Sequence, residues 1–129
     1  MVKHIFLSFV EEDLTLVKLF RGQAKNKNSS LVFDDYSVHT PYNSTDAAYI
    51  RRQITERIRA CSTTICLIGT TTHTSDWVDW EVAKSYELSN GILGVRLHNS
   101  LRRDRPPVGL TRVRAKIVNW DIDAIMREL

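Results

Sequence analysis

Thr63-Thr64-Ile65-Cys66-Leu67-Ile68 is the segment that most limits what this chain can fold into. It is β-branched and apolar, and no polar residue alternates through it. A strand with one wet face alternates; a strand without alternation is covered on both faces, as in the middle of a parallel sheet. Other strand-like runs lie at residues 4–9, 31–35, 92–97 and 116–120. Helical spacings fill the gaps. Leu14, Val17, Leu19 and Phe20 mark a helix over 13–24, with acids at its start where the helix dipole favours them. Ser44 or Thr45 is placed to cap a helix running to about Arg59, with Ile50, Ile54 and Ile58 every fourth residue. A third helix follows the central strand, with Val78, Val82 and Tyr86 as its expected core stripe and Asn90-Gly91 as its stop. Residues 36–45 read as a polar loop, 98–111 as a second loop, and 121–129 as a last helix. Alternating strands and helices predict a doubly wound α/β fold: a parallel sheet of about five strands with helices on both faces. With 129 residues and no linker composition, the chain reads as a single domain, 1–129.

The stretch after the central strand, Ser75-Asp76-Trp77-Val78-Asp79-Trp80-Glu81, carries the chemistry. Four-residue spacing puts Trp77 and Glu81 one turn apart on one helix face. In open α/β sheets ligands bind at the C-terminal ends of the strands, where this helix begins. A flat ring and an anion there suit a nucleotide that loses its base at the ribose C1′. The plain alternative is a half-buried indole beside a solvated acid.

Other sites are excluded or weaker. There is no G-x-G-x-x-G, no P-loop and no G-x-S-x-G elbow. His4, His39, His73 and His98 are scattered, and with two cysteines they give no metal-ligand spacing, so no metal is expected. A phosphoacceptor receiver would need an aspartate at the end of the third strand, which here ends Ile68-Gly69-Thr70. Eighteen Lys and Arg against fifteen Asp and Glu give a net charge of +3, which favours anionic ligands such as phosphates without calling for nucleic acid. Residues 96–116 hold seven Lys or Arg against Asp104 and read as a solvated loop, with phosphate or subunit contact as the alternative. Residues 1–9 are too short for a signal peptide and meet Glu11-Glu12-Asp13 at once, and no apolar run reaches a membrane span. Cys61 and Cys66, five apart around a strand, are placed as thiols, Cys66 as a small core residue; a cytoplasmic location is expected.

The chain resembles the TIR-like domains of the compact prokaryotic type found in Thoeris anti-phage defence. The resemblance rests on His4-Ile5-Phe6-Leu7-Ser8-Phe9 with the acids behind it, Ser44-Thr45-Asp46 leading a helix, and residues 64–69. It continues through Trp77-Val78-Asp79-Trp80-Glu81-Val82-Ala83-Lys84-Ser85 and Asn90-Gly91-Ile92-Leu93-Gly94-Val95, covering roughly residues 1–97. It implies a flavodoxin-like fold and cleavage of the nicotinamide–ribose bond of NAD, as a glycohydrolase or an ADP-ribosyl cyclase. NAD is then substrate, and no cofactor is implied. Glu81 takes the catalytic role. Ser8 and Phe9 would line the pocket from the end of the first strand, Asp46 would contact a ribose or orient the site, and Trp77 would pack under the glutamate or the ligand. Phe9 has core packing as its alternative, and Asp46 a first-turn charge on the helix dipole. The resemblance further implies self-association through TIR surfaces, with the 36–45 loop gating the site. It also implies a cyclic ADP-ribose signal read by a separate effector. A non-catalytic TIR adaptor and a nucleoside deoxyribosyltransferase-like enzyme are the competing readings.

Overall fold

A computed structural model describes residues 2–36 and 42–129. Five strands form one parallel sheet: β1 (Lys3–Ser8), β2 (Leu31–Asp34), β3 (Thr63–Ile68), β4 (Gly91–Arg96) and β5 (Lys116–Asn119). Their order is β2-β1-β3-β4-β5, the flavodoxin-like arrangement. The register sets Ser8 beside Cys66 and Ile68 beside Arg96. As expected of the unalternated run, β3 is buried along its whole length at the centre.

Period-two alternation sorts side chains between the faces. Ile5, Leu7, Ile65, Leu67, Leu93 and Val95 point to one face, where α1 (Leu14–Lys27) and α5 (Ile122–Glu128) supply Val17, Phe20, Ala24 and Ile125. Phe6 meets Ile50, Ile54 and Ile58 of α2 (Ala47–Arg59) on the other face. Cys66 and Ile68 meet Val78 and Val82 of α3 (Asp76–Glu87) and Leu110 of α4 (Val108–Arg112) there. The same alternation turns Ser8, two residues after Phe6, toward α3.

Several local expectations change. Tyr86 is 62% exposed and is not part of the α3 core stripe. Glu81 and Ser85 take inner positions instead, because the sheet offers them hydroxyls: Ser8 to Glu81 and Thr64 to Ser85. The α2 helix begins after Asp46, without a side-chain cap from Ser44 or Thr45; the Ser44 carbonyl accepts from the Ala47 amide in the preceding turn. The Asn90-Gly91 stop moves two residues earlier. Ser89 adopts φ 64°, and Gly91 already opens β4. Residues 98–111 are not wholly loop, since α4 begins inside them. The segment 37–41, half of the expected gating loop, lies outside the described residues, as does His39 within it. Among the described residues no helix is long and apolar enough to cross a membrane.

The turn after β4 is built around Asp104, which is fully buried. Its carboxylate accepts from the His98 amide at 2.6 Å and pairs with His98 Nδ1 at 2.6 Å. Asn99, at φ 54°, accepts from the Trp120 amide at 2.6 Å and ties the turn to the end of β5. A buried carboxylate so held cannot lose its acceptor atom without orphaning a donor. We predict that Asp104→Asn lowers the unfolding free energy by about 2–3 kcal/mol. Urea titration checks this, and a loss under about 0.5 kcal/mol, the scatter of ordinary surface substitutions, would contradict it.

Candidate functional site

In a β2-β1-β3 arrangement the chain leaves β1 and β3 in opposite directions, which opens a crevice at their C-terminal ends. A cleft of about 440 Å³ lies there. Phe9, Val10, Glu11 and Glu12 enter from the segment after β1, and Tyr36 from the end of β2. Thr71, Thr74 and Ser75 enter from the segment after β3, and Trp77 and Glu81 from α3. Thr71 Oγ1 donates to Glu12 Oε2 at 3.3 Å and joins the two lips.

α3 is aimed at this cleft by its first turn. Ser75 is the N-cap, and its Oγ accepts from the Val78 amide at 3.1 Å. Behind it, Thr72 Oγ1 accepts from the Gly69 amide at 2.8 Å, fixing the chain as it leaves β3. Gly69 leaves room for the Asp13 carboxylate, which a Cβ here would force to move.

Glu81 is 5% exposed, far from the solvated acid of the plain alternative. Ser8 Oγ donates to Glu81 Oε1 at 2.6 Å, a short buried contact. One turn on, Ser85 Oγ donates to the Glu81 carbonyl at 2.8 Å and stands 2.7 Å from Thr64 Oγ1. These contacts fix the glutamate's backbone and side chain against β1 and β3. Burial pushes its carboxyl up to about 8, and the Ser8 hydroxyl pulls partly the other way. Cys66 lies under the same helix, fully buried; burial and the neighbouring Glu81 push its thiol upward, so it behaves as core.

Trp77 is half-buried and lines the cleft, but much of its ring is in contact with other side chains. Tyr42 meets it edge-on at 5.1 Å and Trp80 at 6.2 Å, and the Arg51 guanidinium lies 5.7 Å from its centroid. Phe9 both packs against the α1-side core and lines the cleft. Ser8, Phe9, Trp77 and Glu81 therefore come together. Asp46 does not join them: it is exposed, at the N-cap of α2, and is not among the cleft's lining residues. The sequence does not single out Tyr36, Glu11, Glu12 and Thr71 as site residues, although each lies two to four residues beyond a strand's C-terminal end, where cleft residues are expected. Among the described residues the lining holds three acidic side chains, Glu11, Glu12 and Glu81, and no Lys or Arg. It suits a flat, cationic group. Among the described residues no cluster of three or more His, Cys, Asp or Glu is placed to hold a metal.

The raised Glu81 carboxyl links stability to pH. The native state keeps a proton that the unfolded chain releases near 4.5. Between about 4.5 and about 8 the unfolded state binds fewer protons, so stability falls as pH rises and levels off above the upper value. The loss is on the order of a few kcal/mol, at about 1.4 kcal/mol per unit. Glu81→Gln is expected to remove this slope and to be the more stable protein at pH 8. Urea denaturation at pH 5, 6, 7 and 8 measures it; parallel curves for the two proteins would contradict the assignment.

The family model described as Thoeris protein ThsB, TIR-like domain, matches residues 6–102, a span that includes Ser8, Phe9, Asp46, Trp77 and Glu81. Over 103 residues the chain is 29% identical to a Bacillus cereus (strain MSX-D12) protein named "Putative cyclic ADP-D-ribose synthase ThsB1", covering 76% of this chain. It spans about half, 53%, of that relative's length. With the parallel five-stranded sheet and the cleft at its switch point, the match places the chain in the Thoeris ThsB family of TIR-like domains.

Proposed function

We propose that the cleft binds NAD and cleaves its nicotinamide–ribose bond, with Glu81 as the catalytic residue. The observation that carries this reading is the buried Glu81 carboxyl, held by Ser8 on the wall of a cleft lined by Phe9 and Trp77. The name of the Bacillus cereus relative supports the same class of chemistry.

The nicotinamide of NAD is a cationic pyridinium. When its bond to C1′ breaks, the bonding electron pair goes to the ring nitrogen and nicotinamide leaves neutral. No general acid is needed, and positive charge passes to the ribose. A fixed carboxylate beside that ring stabilises the oxocarbenium-like transition state. In the free protein Glu81 keeps its proton near neutrality. A cationic ring seated against it favours the ionised form, so the substrate brings out the charge that catalysis uses. Ser8 supports that form by donating to it, and Glu11 and Glu12 add negative potential at the mouth. Trp77 serves as the packed wall against which the glutamate is fixed.

The ribosyl cation is then captured by water, giving ADP-ribose, or by a nucleophile of the same dinucleotide, giving a cyclic isomer. In keeping with the relative's name, we favour the cyclic product, serving as an anti-phage signal for a separate effector in the cytoplasm. Self-association of the domain would close the cleft against water and favour internal capture.

Glu81→Gln is predicted to lower nicotinamide release by at least about a hundredfold with the fold retained. Release is followed by chromatography at high protein concentration, and a variant with wild-type rates would sink the catalytic role. For the wild type, kcat/KM should rise with pH, reach half its maximum near 8 and level off above it, because the free protein must lose the Glu81 proton. Ser8→Ala removes the donor that favours ionisation, so its kcat/KM profile should move to higher pH and lose about tenfold at pH 7. Superimposable profiles for the two proteins would contradict that role for Ser8.

A further inference from the structure

The cleft has a charge problem. A dinucleotide carries a diphosphate, yet among the described residues the lining offers three acidic side chains and no Lys or Arg. The anionic half of the ligand needs a partner outside the lining.

Two cations stand beside it: the Arg51 guanidinium lies over lining residue Trp77, 5.7 Å from its centroid and also over Tyr42, and Arg103 is tied to the segment after β3. Arg103 Nε donates to Thr70 Oγ1 at 3.3 Å, and Thr70 immediately precedes Thr71 of the lining. This contact uses Nε and leaves the terminal amino groups of the guanidinium for another acceptor. Its backbone is fixed as well. The Arg103 amide donates to Ser100 Oγ at 3.1 Å, and the next residue is the buried Asp104, held by His98. A guanidinium anchored at Nε keeps its terminal fork, which matches phosphate oxygens, beside Thr70. Arg102 and Arg105 flank it; all three are exposed, and of the three only Arg103 bonds to the segment after β3 among the described residues. Arg103 also lies just beyond the span matched by the family model.

We propose that Arg103 is the diphosphate-binding residue of this cleft and sets its preference for a dinucleotide over a nicotinamide riboside. The inference rests on the NAD reading of the same cleft. Nicotinamide would sit at the Glu81 end, and the diphosphate would cross the Thr70–Thr71 lip toward Arg103.

The test compares wild type with Arg103→Ala, and with Arg105→Ala as a control of equal charge loss. Calorimetric titration with ADP needs no turnover. ADP affinity should fall about ten- to a hundredfold in Arg103→Ala, the loss expected for a charge-assisted pair, and stay at the wild-type value in Arg105→Ala. In NAD cleavage the KM of Arg103→Ala should rise while kcat holds, and inhibition by free nicotinamide should be unchanged. Arg103→Lys should recover part of the affinity, because it restores the charge without the fork. Equal losses in the two alanine variants would show diffuse charge and overturn the assignment. So would wild-type ADP affinity in Arg103→Ala, or the absence of ADP binding by the wild type. Wild type that binds ADP through Arg103 but releases no nicotinamide from NAD would instead refute the proposed reaction and leave the diphosphate site standing.

Discussion

The burial of one carboxyl group between β1 and α3 is the constraint from which the rest of the site follows. Glu81 is almost wholly removed from water and has one short side-chain hydrogen bond, from Ser8. An ionised acid in such a place is costly unless a positive charge meets it. Among the residues lining the cleft no Lys or Arg does so. The protein therefore carries a proton near neutrality at the point where a ligand enters, at a standing cost in stability. Such costs are usual at functional sites.

Geometry converts that cost into selectivity. The β2-β1-β3 order opens the crevice, the Ser75 cap and the turn at Gly69 aim α3 into it, and Thr64 with Ser85 holds the middle of the helix on the sheet. The result is a cleft with a negative end under an aromatic wall. Arg103, the cation proposed for the diphosphate, stands outside that lining on a separate turn built around buried Asp104. A ligand positive at one end and negative further along satisfies both.

Much of this was legible in the sequence, and the misses have physical causes. The unalternated run 63–68 located the central strand, because double burial removes polar alternation. The Trp77–Glu81 spacing pointed at the cleft, because a helix starting at a strand's C-terminal end must face the crevice. Tyr86 was misplaced because a hydrophobic-stripe reading counts only apolar residues, while the inner face of α3 also carries Glu81 and Ser85. α4 has only five residues, too few to show a period. Ser89, rather than the glycine two residues on, took the left-handed turn; the tertiary register of β4 fixed that choice. Asp46 leads α2 as the sequence suggested, yet it stands exposed outside the lining, since a position in a motif does not specify where a side chain points. Arg103 could not be told from its neighbours in the sequence, because its contact with Thr70 joins residues 33 apart.

The central claim is that Glu81 is a buried acid which a cationic ligand ionises. Carbon-13 NMR of the glutamate side-chain carboxyls, with the Glu81 signal assigned by its absence in Glu81→Gln, follows that proton directly. In the free protein the signal should titrate near 8, and addition of a non-cleavable nicotinamide dinucleotide should move the midpoint down by a unit or more, about 1.4 kcal/mol per unit. A midpoint near 4.5 in the free protein, or one that the cationic ligand leaves unmoved, would contradict the account.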